Sequence, residues 1–157
     1  MLCEHYRIAR RDIDTQVAPR GRGSAANWVT QQYPGVLRLA RSKRSQEGLG
    51  FLVIIDGDNV GVDKRREQLR AAAGQSSSDE PRVAVLVPTR NIETWVRWLT
   101  GYDVNELQDY PLSDEEFANR LPGAVEAWGM PRDRESLDVP SLSRARQAMS
   151  VSPFTRK

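Results

Sequence analysis

The chain has 157 residues, 39% hydrophobic and 28% charged, with a formal net charge of +2, ordinary values for one globular domain able to bury a core. Its longest apolar run, Phe51-Leu-Val-Ile-Ile55, is too short to span a bilayer, and the first residues lack a charged-then-apolar secretion pattern, so a cytoplasmic location is expected. The single cysteine, Cys3, excludes an internal disulfide or a cysteine-rich zinc site, and the single histidine, His5, lies near a terminus, which leaves carboxylates, a metal and arginine to carry any catalysis.

Taken in chain order, residues 6–11 read as the end of a helix and 14–18 as a short strand. Pro19-Arg-Gly-Arg-Gly-Ser24 reads as a loop whose Ser24 caps the next helix. Val29, Tyr33, Val36, Leu37 and Ala40 share one face of that helix, and Pro34 is expected to kink or divide it. Residues 46–50 turn the chain into the apolar run, which reads as a strand covered on both faces, as in a parallel sheet between helices. Asp63 is a candidate cap for a helix reaching Ala73, and Gly74 ends it.

A polar, serine-rich loop over 75–81 leads to a second buried strand, Arg82-Val-Ala-Val-Leu-Val87, closed by Pro88. Ile92, Trp95, Val96 and Leu99 then fall at i, i+3, i+4 and i+7, predicting an amphipathic helix over 91–100 that Gly101 stops. Trp98 falls off that stripe and suits an interface. Ser113-Asp-Glu-Glu116 resembles a capping box for a helix to Leu121, and Pro122 opens a further short helix. An irregular stretch over 131–140 precedes a final helix over 141–149 capped by Ser141. Strand, helix, strand, helix with a helical tail implies a small three-layer α/β domain over 1–112 and a helical extension over 113–157.

The chemistry gathers where the first strand ends. Ligands collect beyond the carboxyl ends of strands in open α/β sheets, and Asp56 and Asp58 sit there. In an extended backbone positions i and i+2 share a side, so both carboxylates could hold one Mg²⁺ or Mn²⁺; the plainer reading of Asp56-Gly-Asp-Asn59 is a turn. Glu93, in the first turn of the helix after the second strand, could complete the site or simply pair with Arg97. Charge is uneven: residues 1–50 carry +5 and 51–157 carry −3. Arg20, Arg22, Arg38, Arg41, Lys43 and Arg44 make a basic region fit to follow a phosphate backbone, Arg90 could clamp a phosphate near the acids, and the alternative is a solvated helix end and ordinary pairing.

Three families share an apolar strand ending in this acidic motif. Haloacid-dehalogenase-type phosphatases also need a downstream lysine and a late acidic pair, which this chain lacks, and PIN-like ribonucleases begin with the motif, whereas here about fifty residues precede it. The order Pro19-Arg-Gly-Arg-Gly-Ser24, Trp28-Val29, Tyr33-Pro34, Ile54-Ile-Asp-Gly-Asp58 and Arg82-Val-Ala-Val-Leu-Val-Pro-Thr-Arg-Asn-Ile-Glu-Thr-Trp95 resembles a group of bacterial Toprim-related proteins over roughly residues 6–112. That resemblance implies a mainly parallel Toprim-like sheet with helices on both faces, Asp56 and Asp58 as the metal-binding D-x-D pair, and Glu93 as the acid of the group's helix motif. It further implies Mg²⁺-dependent action on phosphodiester bonds in nucleic acid, as a nuclease of an anti-phage module with an ATPase partner. The usual glutamate after a preceding strand has only Glu4 as a substitute, so a late start, a shortened relative or a degenerate centre is expected. The competing expectation is a catalytically inactive subunit that meets its partner through Trp98 and the acidic segment 103–116.

Overall fold

The computed structural model describes residues 13–19, 25–74 and 80–150. The expected helix over 6–11, the Ser24 cap, Glu4, Arg20 and Arg22 lie outside the described residues. Among the described residues, six helices and two strands follow in the order α1 (Ala25–Ser42), β1 (Phe51–Ile54), α2 (Val62–Ala73), β2 (Val83–Leu86), α3 (Ile92–Leu99), α4 (Asp114–Ala127), α5 (Glu135–Asp138) and α6 (Pro140–Met149). The result is a small α/β domain, about half helical, in which no helix among the described residues is long and apolar enough to cross a membrane.

β1 and β2 pair in parallel, with Phe51 opposite Val83 and Ile54 opposite Leu86. The period of two sorts their side chains onto opposite faces. Ile55, Val85 and Val87 join Ala26, Val29, Tyr33 and Leu69 in one apolar cluster with α1 and α2. Ala84 and Leu86 join Trp95, Trp98, Trp128, Leu142 and Met149 in a larger one, so the helices after residue 113 share a core with β2. Among the described residues, only β2 is covered on that second face. Leu52 and Ile54 of β1 remain 37% and 43% exposed, which corrects the expectation of a strand buried on both sides: the overlying helix α6 packs on β2.

Several local expectations are also corrected. Residues 13–19 form no strand, because β1 and β2 pair only with each other and Ile13 and Val17 stay exposed. Pro34 and Pro122 lie inside continuous helices. Each proline forfeits one backbone hydrogen bond, but in α1 buried Ala26 lies before Pro34 and buried Leu37 and Ala40 after it, and that packing outweighs the local loss. Gly61, not Asp63, is the residue before α2, and Asp63 instead pairs with Arg144 at 3.2 Å. The stretch over 131–140 contains α5, entered through Arg134 with a left-handed φ of 64°.

Ser141 is not a cap either. Pro140 opens α6, and buried Glu106 takes its place as acceptor, receiving the Ser141 N–H at 3.1 Å. The Ser141 hydroxyl donates to Glu106 and accepts the Trp95 Nε1–H at 2.8 Å. Trp98 is only 2% exposed, with Arg132 stacked 4.0 Å from its ring and Glu135 accepting from Nε1 at 3.4 Å, so it belongs to the core and presents no interface. The capping box at Ser113 and Glu116 is formed in both directions, and the serine N–H and hydroxyl hold the Glu116 carboxyl below its ordinary range.

Candidate functional site

The acidic residues sit where the parallel pair opens. The ladder continues past β1 through Ile55 N–H to Leu86 C=O at 3.1 Å and Gly57 N–H to Pro88 C=O at 2.9 Å. It then steps, with Asp58 N–H reaching Arg90 C=O at 2.9 Å. Two segments therefore run side by side, 55–58 and 86–90, and the second feeds directly into α3. Asn91 caps that helix, its side chain accepting from Thr94 N–H at 3.3 Å. The register brings the start of α3, with Glu93, beside Asp56.

Gly57 is required here by space. A Cβ built on it would lie 2.2 Å from the Thr89 carbonyl oxygen and 2.6 Å from that of Pro88. The two strand ends touch backbone to backbone at this point, so the glycine serves the chain's own packing.

Asp56 is half-buried and accepts a hydrogen bond from the Ile92 backbone N–H at the first turn of α3. Its carboxyl is pushed up to about 6, first by burial, then by the negative charges of Asp58 and Glu93; the Ile92 N–H and Arg65 oppose the rise. Asp56, Asp58 and Glu93 thus share one electrostatic neighbourhood. Asp58, however, has a left-handed φ of 48°, so the extended i, i+2 alignment expected of the two aspartates is not present. Asp58 instead projects outward, its side chain 55% exposed, and meets Arg65 Nη2 at 3.3 Å.

Arg65 was invisible to sequence reading. It is buried on α2, donates from Nε to the Asp56 carbonyl at 3.0 Å and from Nη1 to Gln68 at 2.8 Å, and so ties the acidic turn to the helix behind it. An arginine nine residues beyond Asp56 carries no spacing signal of its own. Asp109 was missed for the same reason: it binds Arg90 through two guanidinium nitrogens, one at 2.9 Å, and holds that arginine's charge firmly. Arg90 also donates to Asn59 and to the Asp58 carbonyl, the latter at 3.3 Å, so it latches the acidic loop to the 109 loop. Glu93 makes no ion pair with Arg97 among the described residues; Arg97 lies 5.6 Å from the Tyr110 ring centroid instead.

Of the basic residues expected to follow phosphate, only Arg90 stands with the acids among the described residues. Arg41 and Arg44 pair with buried Glu80 at 3.8 and 2.8 Å, ahead of β2, and Lys43 lies between them. Arg82 donates to the Arg44 carbonyl at 2.6 Å and to that of Leu49 at 3.3 Å. This cluster fastens the amino-terminal edge of the sheet, at the opposite end of the strands from Asp56. Arg41 and Arg44 therefore have a structural task that position in sequence did not reveal.

Asp56, Asp58 and Glu93 offer hard oxygen donors suited in kind to Mg²⁺ or Mn²⁺. Among the described residues, no three His, Cys, Asp or Glu side chains are grouped as a ready-made metal centre. The donor chemistry fits a divalent cation, while Asp58 is engaged by Arg65.

The raised Asp56 pKa has a consequence for stability. A folded-state value of about 6 against the ordinary 3.8 means that the carboxylate penalises the fold. The penalty is absent below pH 3.8, grows between 3.8 and about 6, and is complete above that. Asp56→Asn is expected to stabilise the protein by ~1–2 kcal/mol at pH 7.5, allowing for solvent screening of a partly exposed group. Thermal melts should show the gain at pH 7.5 and its disappearance by pH 4; an equal gain at both values would contradict the assignment. Comparison of the chain with protein-family models, with curated proteins and with solved structures returns no match.

Proposed function

We propose that this protein is a Toprim-like, Mg²⁺- or Mn²⁺-dependent nuclease acting on phosphodiester bonds in nucleic acid. The observation that carries this reading is the charge coupling of Asp56 with Asp58, which follows β1, and with Glu93, at the start of α3, at the carboxyl edge of a parallel sheet. Clustered acids with too little compensating charge are costly to a fold and suit a site that awaits a cation. The wider reading, a three-layer Toprim-like domain serving as effector of a bacterial anti-phage module beside an ATPase, rests on the motif order. The parallel pair and the apolar clusters on its two faces are in keeping with it.

In this proposal Asp56, Asp58 and Glu93 hold the ion. A bound Mg²⁺ would polarise the phosphate, lower the pKa of a water and stabilise the departing oxygen. The Ile92 N–H orients the Asp56 carboxylate, and Arg65 fixes the turn through the Asp56 carbonyl. Exposed Asp58 would turn from Arg65 to help hold the ion. Arg90, already beside the acids, meets the nucleic-acid backbone when Asp109 lets it go.

The test is nicking of plasmid DNA and of RNA with Mg²⁺ or Mn²⁺. The Asp56→Ala, Asp58→Ala protein is expected to lose all metal-dependent cleavage and its calorimetric Mn²⁺ signal while keeping its circular dichroism spectrum. Unchanged cleavage by that variant removes the proposal. Because the ion needs a deprotonated Asp56, Mn²⁺ affinity should fall as pH is lowered through about 6.

A second reading is favoured by one observation, the ion pair between Asp58 and buried Arg65. It takes the protein as a catalytically inactive, Toprim-like binding or regulatory subunit of an ATPase. With Trp98 buried, its contact surface would reduce to the acidic segment 103–116. Absence of any metal binding by the wild-type chain selects this reading.

A further inference from the structure

Among the described residues, β1 ends the sheet on an open edge. Phe51 N–H donates to the Arg82 carbonyl and Ile55 N–H to that of Leu86, so the odd positions of this strand face β2. Parallel pairing then turns the N–H and C=O groups of Leu52 and Ile54 the other way, where no strand stands among the described residues. The far edge of β2 is treated differently: Arg66 Nη2 reaches across and donates to the Val85 carbonyl at 3.0 Å. The open edge also lacks the usual protections. It has no charge, no proline and no bulge from Phe51 to Ile55, and it carries the two exposed apolar side chains Leu52 and Ile54 on one face.

The two ends of this strand differ in charge. At its amino end Arg41, Lys43, Arg44 and Arg82 outnumber Glu47 and Glu80; at its carboxyl end Asp56, Asp58, Glu93 and Asp109 outnumber Arg65 and Arg90. A parallel neighbour of the same sequence would set like against like. An antiparallel one sets each basic end beside an acidic end. We infer that β1 is a self-association edge, along which two copies of this chain pair antiparallel about a two-fold axis beside Val53 to form a continuous four-stranded sheet. Leu52 of one copy then exchanges backbone hydrogen bonds with Ile54 of the other, and the four exposed side chains cover one another. The arrangement also carries Lys43 of one copy toward the acids of the other. It depends on neither a metal nor a substrate, so it stands apart from the proposed activity.

Sedimentation equilibrium of the full chain over low to high micromolar concentration tests this. The mass is expected to rise toward twice that of the chain, and Ile54→Lys, at an exposed position, is expected to stay monomeric with an unchanged circular dichroism spectrum. Wild-type protein that is monomeric throughout overturns the inference, as does a dimer that both Ile54→Lys and Leu52→Lys leave intact. Amide hydrogen exchange of the wild type decides the matter should those variants not fold. Protection of the Leu52 and Ile54 amides that rises with concentration supports the pairing. Protection independent of concentration means that the chain covers its own edge, and no protection means that the edge awaits another protein's strand; either result overturns the inference.

Discussion

Gly57→Ala is expected to lower stability by at least ~3 kcal/mol, the upper range for overpacking a well-filled site, and the melting temperature by roughly 10 °C. The new methyl group would sit 2.2 Å from the Thr89 carbonyl oxygen and 2.6 Å from that of Pro88. Both are backbone atoms, so neither can swing aside. The glycine is held from both directions, its N–H by Pro88 and its C=O by the N–H groups of Val60 and Gly61, each at 3.0 Å. Relief must therefore come from separating the ends of β1 and β2, which moves Asp56 away from the Ile92 N–H. Under the proposed function, the variant should lose Mn²⁺ affinity as well as stability. Gly35→Ala supplies the contrast: it lies inside α1 with nothing nearer than Arg38 at 3.8 Å, and should stabilise by ~0.5–1 kcal/mol. Chemical denaturation of both proteins checks the prediction, and a Gly57→Ala protein as stable as the wild type would show that the strand ends are not in contact.

That contact separates what could be read in the sequence from what could not. The direction of β1 and the 3.6-residue stripe of α3 were enough to place Asp56 and Glu93 at one edge, because both signals are local. The capping box at Ser113 was legible for the same reason. Asp58 was misplaced because the i, i+2 rule assumes extended backbone, and nothing in Asp56-Gly-Asp-Asn59 announces a φ of 48°. Arg41 and Arg44 read either as a track for phosphate or as a solvated helix end, and nothing local announced their pairing with Glu80, 36 positions beyond Arg44. Pro34 read as a kink or division and Pro122 as the start of a new helix because their local cost is visible in sequence and the burial that offsets it is not. The exposure of Leu52 and Ile54 was hidden likewise, since an apolar run does not say how many strands flank it.

Trp98 is the strongest case of burial supplied from far along the chain, and it leads to the second large effect. Its indole Nε1 donates to Glu135, 37 residues away, and the same carboxylate binds Arg146 of α6. Arg146 Nη2 donates to Glu135 Oε2 at 3.0 Å; Nε lies 2.8 Å from Oε1 with its N–H out of line, so that contact is ionic only. Both side chains are largely withdrawn from water, 13% and 5% exposed. Glu135→Ala would strand a buried guanidinium against the Trp128 ring and free the Trp98 N–H, at an expected cost of ~3–5 kcal/mol. The melting temperature should fall by roughly 10 °C. Arg146→Met added to Glu135→Leu removes both charges together and should recover most of the loss, since a buried ion pair contributes little beyond the apolar contacts that could replace it. If the double variant is as unstable as Glu135→Ala, the carboxylate works through α5 and the Trp98 N–H alone. The loss would extend to the acidic site, because Trp98 anchors α3, and α3 carries both the Ile92 N–H that holds Asp56 and the carboxylate of Glu93.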